Sequence, residues 1–338
     1  MKQEPIDLVY LWCDAADAKW TAKRMEAARA CGLAADADGN LPCRFIARNE
    51  LRYALRSAAR YVPWVRKVFI VHDDDNELPS WLNRDNPRLQ IVRHSEIMPA
   101  RFLPCFCPIT IEHYLAQIPD LSERFLYAND DMMFYRPLEP SFFFASDGYP
   151  YCRFGGKKKP MPDAAKSHYL RNIDRADELA RTAYAPVGRE LAEAISRYPH
   201  HCVDAYCKSD MRSCFARFKE VLEAPFAMPF RSADKVLRVF YLYDAIAHGH
   251  GHFRLARFRI GGGRPWYKRL LRPGWADSLQ FYGARWPNGP QMLEKWRPGL
   301  FCFNDTDVTT DADRDWLENL YAGMFPDPSS FEKVEGAR

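Results

Sequence analysis

The sequence predicts an α/β fold, a Rossmann-like, mainly parallel sheet with a helical insertion, and three observations carry that expectation. Short apolar segments rich in β-branched and aromatic residues alternate with helical patterns over residues 1–150. Between 151 and 254 the strand pattern gives way to helical periodicity. An apolar strand pattern then returns in LFCFND at 300–305. Strand, helix, strand in that order favours parallel strands with helices packed on the sheet faces.

The elements follow in chain order. IDLVYLWC at 6–13, KVFIVH at 67–72, LQIVR at 89–93 and RFLYA at 124–128 have the side chains of strands. Helical spacing occupies 18–31 and 48–61, the second with Leu51, Ala54, Leu55, Ala58 and Tyr61 on one stripe and Pro63 as its stop. A further helix is expected at 109–117. GGKKKP at 155–160 reads as a flexible boundary, followed by helices at 175–197, 203–220 and 233–247 and a last one at 310–323. The expected organisation is an α/β core over 1–150, a helical insertion over 151–254, a basic aromatic segment over 255–298, and a return to the core with a C-terminal helix over 299–338.

Length and composition narrow the class. At about 150 residues per domain, 338 residues supply roughly two domains or one large domain with an insertion. A hydrophobic share of 47% and a charged share of 27% exclude a disordered or collagen-like chain. The longest apolar run, LVYLWC, is strand-length, so no membrane span is expected. The start, MKQEPIDLVY, lacks the stages of a secretory signal, which implies a cytoplasmic protein with its ten cysteines reduced.

Polar strand ends sketch a site. The first strand leads to Asp14 and Asp17, the second to Asp73–Asp75, the third to His94 and the fourth to Asn129, Asp130 and Asp131. Ligands of open α/β sheets bind at the carboxyl ends of strands. Turns also favour Asp and Asn, and the Asp73–Asp75 run reads as a solvated loop. The NDD turn at 129–131 and FNDTD at 303–307 offer hard oxygen ligands that suit Mg²⁺ or Mn²⁺ bridging a diphosphate. Arg48, Arg52, Arg56 and Arg60 line one helix face, where guanidinium forks match either phosphate or an internal carboxylate. HGHGH at 248–252 reads as a loop, and the cysteines lack paired knuckles for structural zinc. There is no P-loop, no nucleophile elbow and no dinucleotide glycine fingerprint.

The near-neutral charge of +4 hides an uneven distribution. Residues 253–298 hold ten Arg or Lys against only Asp277 and Glu294, interleaved with Trp266, Trp275, Trp286 and Trp296. Such a stretch suits an anionic polysaccharide or an acidic membrane surface, and equally suits structural Arg–Trp packing. Nucleic acid is not expected as a partner.

Taken together, the segments resemble the stealth family of sugar-phosphate transferases, which includes bacterial capsular polysaccharide phosphotransferases and the catalytic subunit of the lysosomal-enzyme GlcNAc-1-phosphotransferase. The resemblance lies in IDLVYLWCDAAD at 6–17, in NELRYALRSAARYVPWVRKVFIV at 49–71 with PSWLNRDNPRLQIVRHSEI at 79–97 and LSERFLYANDDMMFYRPL at 121–138, in HCVDAYCKSDM at 201–211 with FRSADK at 230–235, and in FCFND at 301–305. It implies a GT-A-like core that binds a UDP-sugar and passes its sugar-1-phosphate to a hydroxyl of a saccharide acceptor, releasing UMP, in capsular or cell-surface polysaccharide synthesis. It implies a divalent cation, Mg²⁺ or Mn²⁺.

Carried over by position, the resemblance implies catalytic roles for His201, Asp131, Arg231 and Glu112. It implies donor binding by Asp14, Asp17, Asn49, Glu50, Arg52, Arg56 and Asn129, and metal binding by Asp130, Asp131, Asp305 and Asn304. His201, with an ordinary pKa near neutrality, is the expected general base and Asp131 the alternative; Asp7 is expected to be structural. The sequence departs from the family pattern at Leu11, Cys13 and Ala15, at Cys107 and Pro108, in the longer loop 72–78 and at Cys202–Val203. The acceptor is expected to be anionic, with peripheral contact to the inner face of the cell membrane. A metal-dependent glycosyltransferase releasing UDP and a noncatalytic polysaccharide-binding protein are the alternative readings.

Overall fold

A computed structural model describes residues 4–34, 37–256, 258–260, 276–282 and 288–333. The chain begins with β1 (Ile6–Leu11), α1 (Ala18–Ala30), α2 (Glu50–Tyr61), β2 (Val68–His72), β3 (Leu89–Arg93), α3 (His94–Ile97) and α4 (Pro108–Glu112). It continues through β4 (Arg124–Asn129), β5 (Met132–Phe134), β6 (Tyr151–Lys157), α5 (His168–Ala183), α6 (Arg189–Ile195), β7 (Arg197–Pro199), β8 (Asp204–Cys207), α7 (Lys208–Glu223) and α8 (Val239–Ala247). It ends with β9 (His252–Leu255), β10 (Phe258–Ile260), β11 (Ser278–Tyr282), α9 (Gly289–Trp296), β12 (Leu300–Asn304) and α10 (Asp311–Met324).

The central sheet has the order β3-β2-β1-β4-β8, parallel throughout except for β8, which runs against β4. Every residue of β1 and β2 is buried, as expected for parallel strands covered by helices on both faces. Asp7 is the polar exception within β1. Its carboxylate holds Arg66 (2.9 Å) and the backbone N–H groups of Lys67 and Ser122 (3.1 and 2.7 Å), tying together the amino ends of the sheet. The opposite, carboxyl end is thereby left to the acidic residues. The expected α/β architecture with a mainly parallel sheet is present.

A second sheet, β10-β11-β12-β5, leans on the first through the short β4–β5 turn, with β5 antiparallel to β12 (Phe301 opposite Met133). LFCFND therefore returns to this second sheet, not to the main one. The expected helical stretch 151–254 carries four strands as well as helices. Asp204–Cys207, expected to open a helix, is an edge strand whose four residues are all buried. The expected helix 175–197 is two helices, α5 and α6, separated by a stretch containing Pro186, and 233–247 becomes helical only at Val239. The GGK of the expected boundary is the end of β6, which pairs with β7 and β9. Much of the basic aromatic segment, residues 261–275 and 283–287, lies outside the described residues, as does the GGGRP turn. Among the described residues no helix is long and apolar enough to cross a membrane.

Candidate active site

The β4–β5 turn places Asp130 and Asp131 at the carboxyl end of the central sheet, beside the segment that leaves β1, since Leu11 pairs with Asn129. The second sheet aims Asp131. Its Oδ2 accepts from Asn304 Nδ2 (3.0 Å) and from the Cys302 thiol (3.2 Å), and Asn304 Oδ1 in turn accepts from Gln280 Nε2 (2.7 Å). Asp131 Oδ1 is buried with no hydrogen-bond partner. Burial pushes the Asp131 carboxyl up to about 6 against the pull of those donors. Burial, then the charge of Asp131 and of Glu50, pushes Asp130 well above the usual carboxylate range. Glu50, at the start of α2, is pushed up to about 7 by burial, with Asp131 and Asp305 adding to the effect. Three carboxyl groups thus disfavour one another's ionisation at this end of the sheet, and a positive charge nearby would relieve that.

Arg231 lies within electrostatic reach of Asp131 and of Glu112. Its charge lowers the pKa values of Asp131 and Glu112, and its side chain makes no hydrogen bond or ion pair among the described residues. Gly39 lets the 37–45 loop close over it, because a Cβ there would lie 2.5 Å from the Arg231 carbonyl oxygen. Behind Arg231 lies a buried relay. Arg238 donates to Glu112 Oε1 (2.9 Å) and Asp204 Oδ2 (3.0 Å), and Tyr127 Oη reaches Glu112 Oε1 (2.9 Å) and Asn129 Oδ1 (2.7 Å). Glu112 Oε2 has no partner although the residue is only 2% exposed. His201 sits edge-on to Tyr169, ring centroids 5.8 Å apart. Its neighbour His200 bonds Ser278 of β11 (2.6 Å), which ties this segment to the second sheet.

Several expected roles change. His201 was expected to titrate near neutrality; burial, with the charges of Arg238, His200 and Arg231, pushes it down to about 3, so its imidazole is neutral at physiological pH. Arg52 and Arg56 are not brought to the acidic turn. Both bind Glu332, through Arg52 Nε (2.6 Å) and Arg56 Nε and Nη2 (2.8 and 2.7 Å), and so meet the internal carboxylate that their spacing allowed. Asp17 caps α1, accepting from Trp20 N (3.0 Å), and its other oxygen takes Glu77 N (2.7 Å), which holds its pKa down. Asn304 accepts from Gln280 through its amide oxygen and donates to Asp131 through its nitrogen, and so positions Asp131. Asp305 is clamped by Arg314 (2.7 and 3.2 Å). Asn49, in a left-handed conformation (φ 63°), bonds Glu318 (2.7 Å). The Asp14 carboxylate accepts from Ala16 N (2.8 Å) and its backbone is gripped by Asn76 (2.7 and 2.9 Å).

Arg238, Asp204, Tyr127, Gln280 and Cys302 were missed from sequence. The available signal was an ionisable residue inside an apolar run, VDAY for Asp204 and KVLRVF for Arg238; a charge there must find a partner. The histidines of HGHGH go to separate acceptors, His250 to Asp210 (2.8 Å) and His252 to Asp147 (2.7 Å), which fits the loop reading. All ten cysteines are free.

Among the described residues no three His, Cys, Asp or Glu side chains gather as a ready-made metal cage. The donor set fits a hard cation of another kind. Mg²⁺ commonly takes one or two carboxylates and completes its shell with substrate phosphate and water, and Asp130 and Asp131, with the orphaned Oδ1, supply that pair.

Residues 44–152 match the family model of Stealth protein CR2, conserved region 2, and residues 291–338 that of Stealth protein CR4, conserved region 4. A capsular polysaccharide phosphotransferase of Haemophilus influenzae is 41% identical over 315 residues, covering 89% of this chain and 78% of that protein. Two exopolysaccharide phosphotransferases of Streptomyces coelicolor are 31% and 33% identical, covering 97% and 98% of this chain. The chain spans about half the length of these two, 57% and 53%. Among solved structures, the galactosyltransferase LgtC, in complex with donor and acceptor sugar analogs, is similar at a TM-score of 0.45 with 10% identity, covering 97% of this chain and 98% of that one. The sequence likeness to the Haemophilus protein and the two matched regions establish that the chain belongs to the Stealth family.

Proposed function

We propose that the protein transfers sugar-1-phosphate from a UDP-sugar to a hydroxyl of a saccharide acceptor, releasing UMP, in capsular or cell-surface polysaccharide synthesis. The observation that carries this reading is the Asp130–Asp131 turn at the carboxyl end of the sheet with Arg231, which has no hydrogen bond or ion pair among the described residues, within electrostatic reach of Asp131. A diphosphate can lie between them only if its charge is balanced from both sides. A divalent cation held by Asp130 and Asp131 would neutralise diphosphate oxygens there. The names of the relatives, polysaccharide phosphotransferases, support the choice of reaction.

In this reading the acceptor oxygen attacks the phosphorus that carries the sugar. The bond from that phosphorus to the bridging oxygen breaks, and UMP leaves with the bridging oxygen. Negative charge grows on the phosphoryl oxygens, and Arg231 stabilises it from a fixed position without reorganisation. His201 is neutral and accepts the hydroxyl proton; the negative charge of the bound donor raises its proton affinity from the resting value. Arg238, Glu112 and Asp204 hold the surrounding backbone and the Arg231 side of the pocket in place. Of the donor-binding residues, Asn129, Glu50 and Asp14 remain beside the turn, and Arg52 and Arg56 act at a distance through the fold.

Incubation with Mg²⁺, a panel of UDP-sugars and short capsule-type oligosaccharides tests the reading. The expected products are UMP and a new phosphodiester signal in the phosphorus NMR spectrum. Release of UDP without a phosphodiester would identify a glycosyltransferase, and donor binding without any turnover would identify a noncatalytic polysaccharide-binding protein.

A further inference from the structure

A cavity lies away from the acidic turn. β5 leads out of the turn and ends at Phe134, and the cavity opens beyond that end, so that Asp131 and Tyr135 are separated by about 13 Å of extended chain. Its volume is about 460 Å³, within the usual range for small-ligand sites. Arg60, Arg136 and Arg297 line it together with Tyr61, Tyr135 and Glu294. Four elements meet there, because Arg60 and Tyr61 end α2, Tyr135 follows β5, Arg297 caps α9, and the floor is the end of α10.

The chemistry of the wall is specific. Three guanidinium groups share it with one carboxylate. Burial disfavours the charged form of Arg136, and the charge of Asp277 favours it more than Arg297 opposes it, which leaves Arg60 and Arg297 with Glu294 as the charges that decide what the wall attracts. Like charges gathered in a concave site are relieved by an anion. Guanidinium forks suit phosphate oxygens, and the ring of Tyr135 offers an apolar face of the size of a pyranose ring, while Tyr61 carries the Arg60 guanidinium 5.2 Å from its centroid. Glu294 can accept hydrogen bonds from hydroxyl groups, whereas an acidic lipid surface would meet it with like charge.

We propose that this cavity binds an anionic saccharide unit of the acceptor chain, away from the site of transfer. Arg60 and Arg297 take the phosphate group, the Tyr135 ring takes a sugar face, and Glu294 takes sugar hydroxyls. The assignment rests on the reading of the protein as a saccharide-phosphate transferase. It gives the acceptor two points of attachment, one at the reacting hydroxyl and one further along the chain, and local concentration then favours long acceptors over short ones.

The test is a calorimetric titration of the whole chain with glucose 1-phosphate and, separately, with methyl glucoside, both in saturating UDP and Mg²⁺. Glucose 1-phosphate is expected to bind at least tenfold more tightly than methyl glucoside, and R60Q/R297Q to weaken it at least tenfold with UDP affinity unchanged. Should the double variant unfold, R60Q alone, at an exposed position, is expected to weaken binding at least threefold. Equal affinity for the two sugars, or binding indifferent to the substitutions, overturns the proposal. So does capture of the wild type but not of R60Q/R297Q by phosphatidylglycerol vesicles when glucose 1-phosphate does not bind, an outcome that assigns the cavity to a membrane. Loss of UDP binding with the sugar-phosphate site intact counts against the donor reading and not against this cavity.

Discussion

Glu50, Asp130 and Asp131 are carboxylic acids whose surroundings favour the protonated form, and that has opposite consequences for activity and for stability. The proposed metal and diphosphate binding would need them ionised. With Asp131 near 6 and Glu50 near 7, turnover is expected to fall as the pH drops through 7, approaching tenfold per unit below about 6. A pH–rate profile measures this, and a flat profile from pH 5 to 8 would count against a role for these groups. His201, pushed down to about 3 in the ligand-free protein, contributes no limb of its own to kcat/KM in that range. For stability the sign reverses. A carboxyl whose folded pKa lies above its unfolded value destabilises the fold as pH rises through the window between the two, here from about 4.5 to about 7 for Glu50. Glu50→Gln is therefore expected to raise the unfolding free energy of the ligand-free protein at pH 8 by on the order of 2 kcal/mol and to lower turnover. Thermal melts at pH 5 and pH 8 check it, because the gain should shrink at the lower pH. Asp131→Asn tests the other half of the argument. It keeps the hydrogen-bond shape but removes the charge, and kcat is expected to drop by about 100-fold or more with the melting temperature maintained or raised.

At the scale of elements, α2 shows why one pattern can serve two purposes. Its apolar stripe packs under the sheet, while its arginine face closes on Glu332, a residue that is 276–280 positions away in the chain. Nothing in the spacing of the arginines distinguishes a phosphate from this carboxylate, since the geometry of the fork is the same for both. The latch has a pH signature. Arg56, the Ser329 N–H and Arg52 overcome the cost of burial and hold Glu332 down at about 2, so its stabilisation is complete above the unfolded value near 4.5 and is lost as pH falls towards 2. Glu332→Gln is expected to cost about 2–3 kcal/mol at pH 7, because it strands two guanidinium groups that are partly buried. A urea melt measures it, and an unchanged midpoint would mean that the tail contributes nothing. The strands β1 to β4 were legible because fully buried β-branched runs such as LVYL and VFIV have few other destinations. β5 and β8 were not, since three or four residues are too few for any period to show, and it is the pairing with β12 and β4 that makes them strands.

For the whole molecule, the site belongs to two sheets at once. β4 supplies the carboxylates and β11 and β12 supply the groups that aim them. Ligand binding should therefore stabilise both sheets together. At UDP and Mg²⁺ concentrations about 100 times the dissociation constant the fold is expected to gain about 2.7 kcal/mol, and hydrogen exchange should slow both at Met132–Phe134 and at Leu300–Asn304. Slowing confined to the first segment would mean that the second sheet is only a neighbour. The ANDD turn was legible in the sequence as an acidic strand end, and Arg231 and Glu112 were found only through the family likeness. The relay of Arg238, Asp204 and Tyr127 was not legible, because it consists of pairings between distant residues that each look ordinary alone.

The hydrogen bonds from Cys302 and Asn304 to Asp131 span 171 and 173 residues. A chain emerging from the ribosome thus displays its acidic turn long before the groups that aim it exist. Until β12 has been made and has paired with β5, the nascent protein holds the reactive residues without their alignment. Under the proposed function, synthesis order would then act as a safety catch, with turnover waiting on the end of the chain.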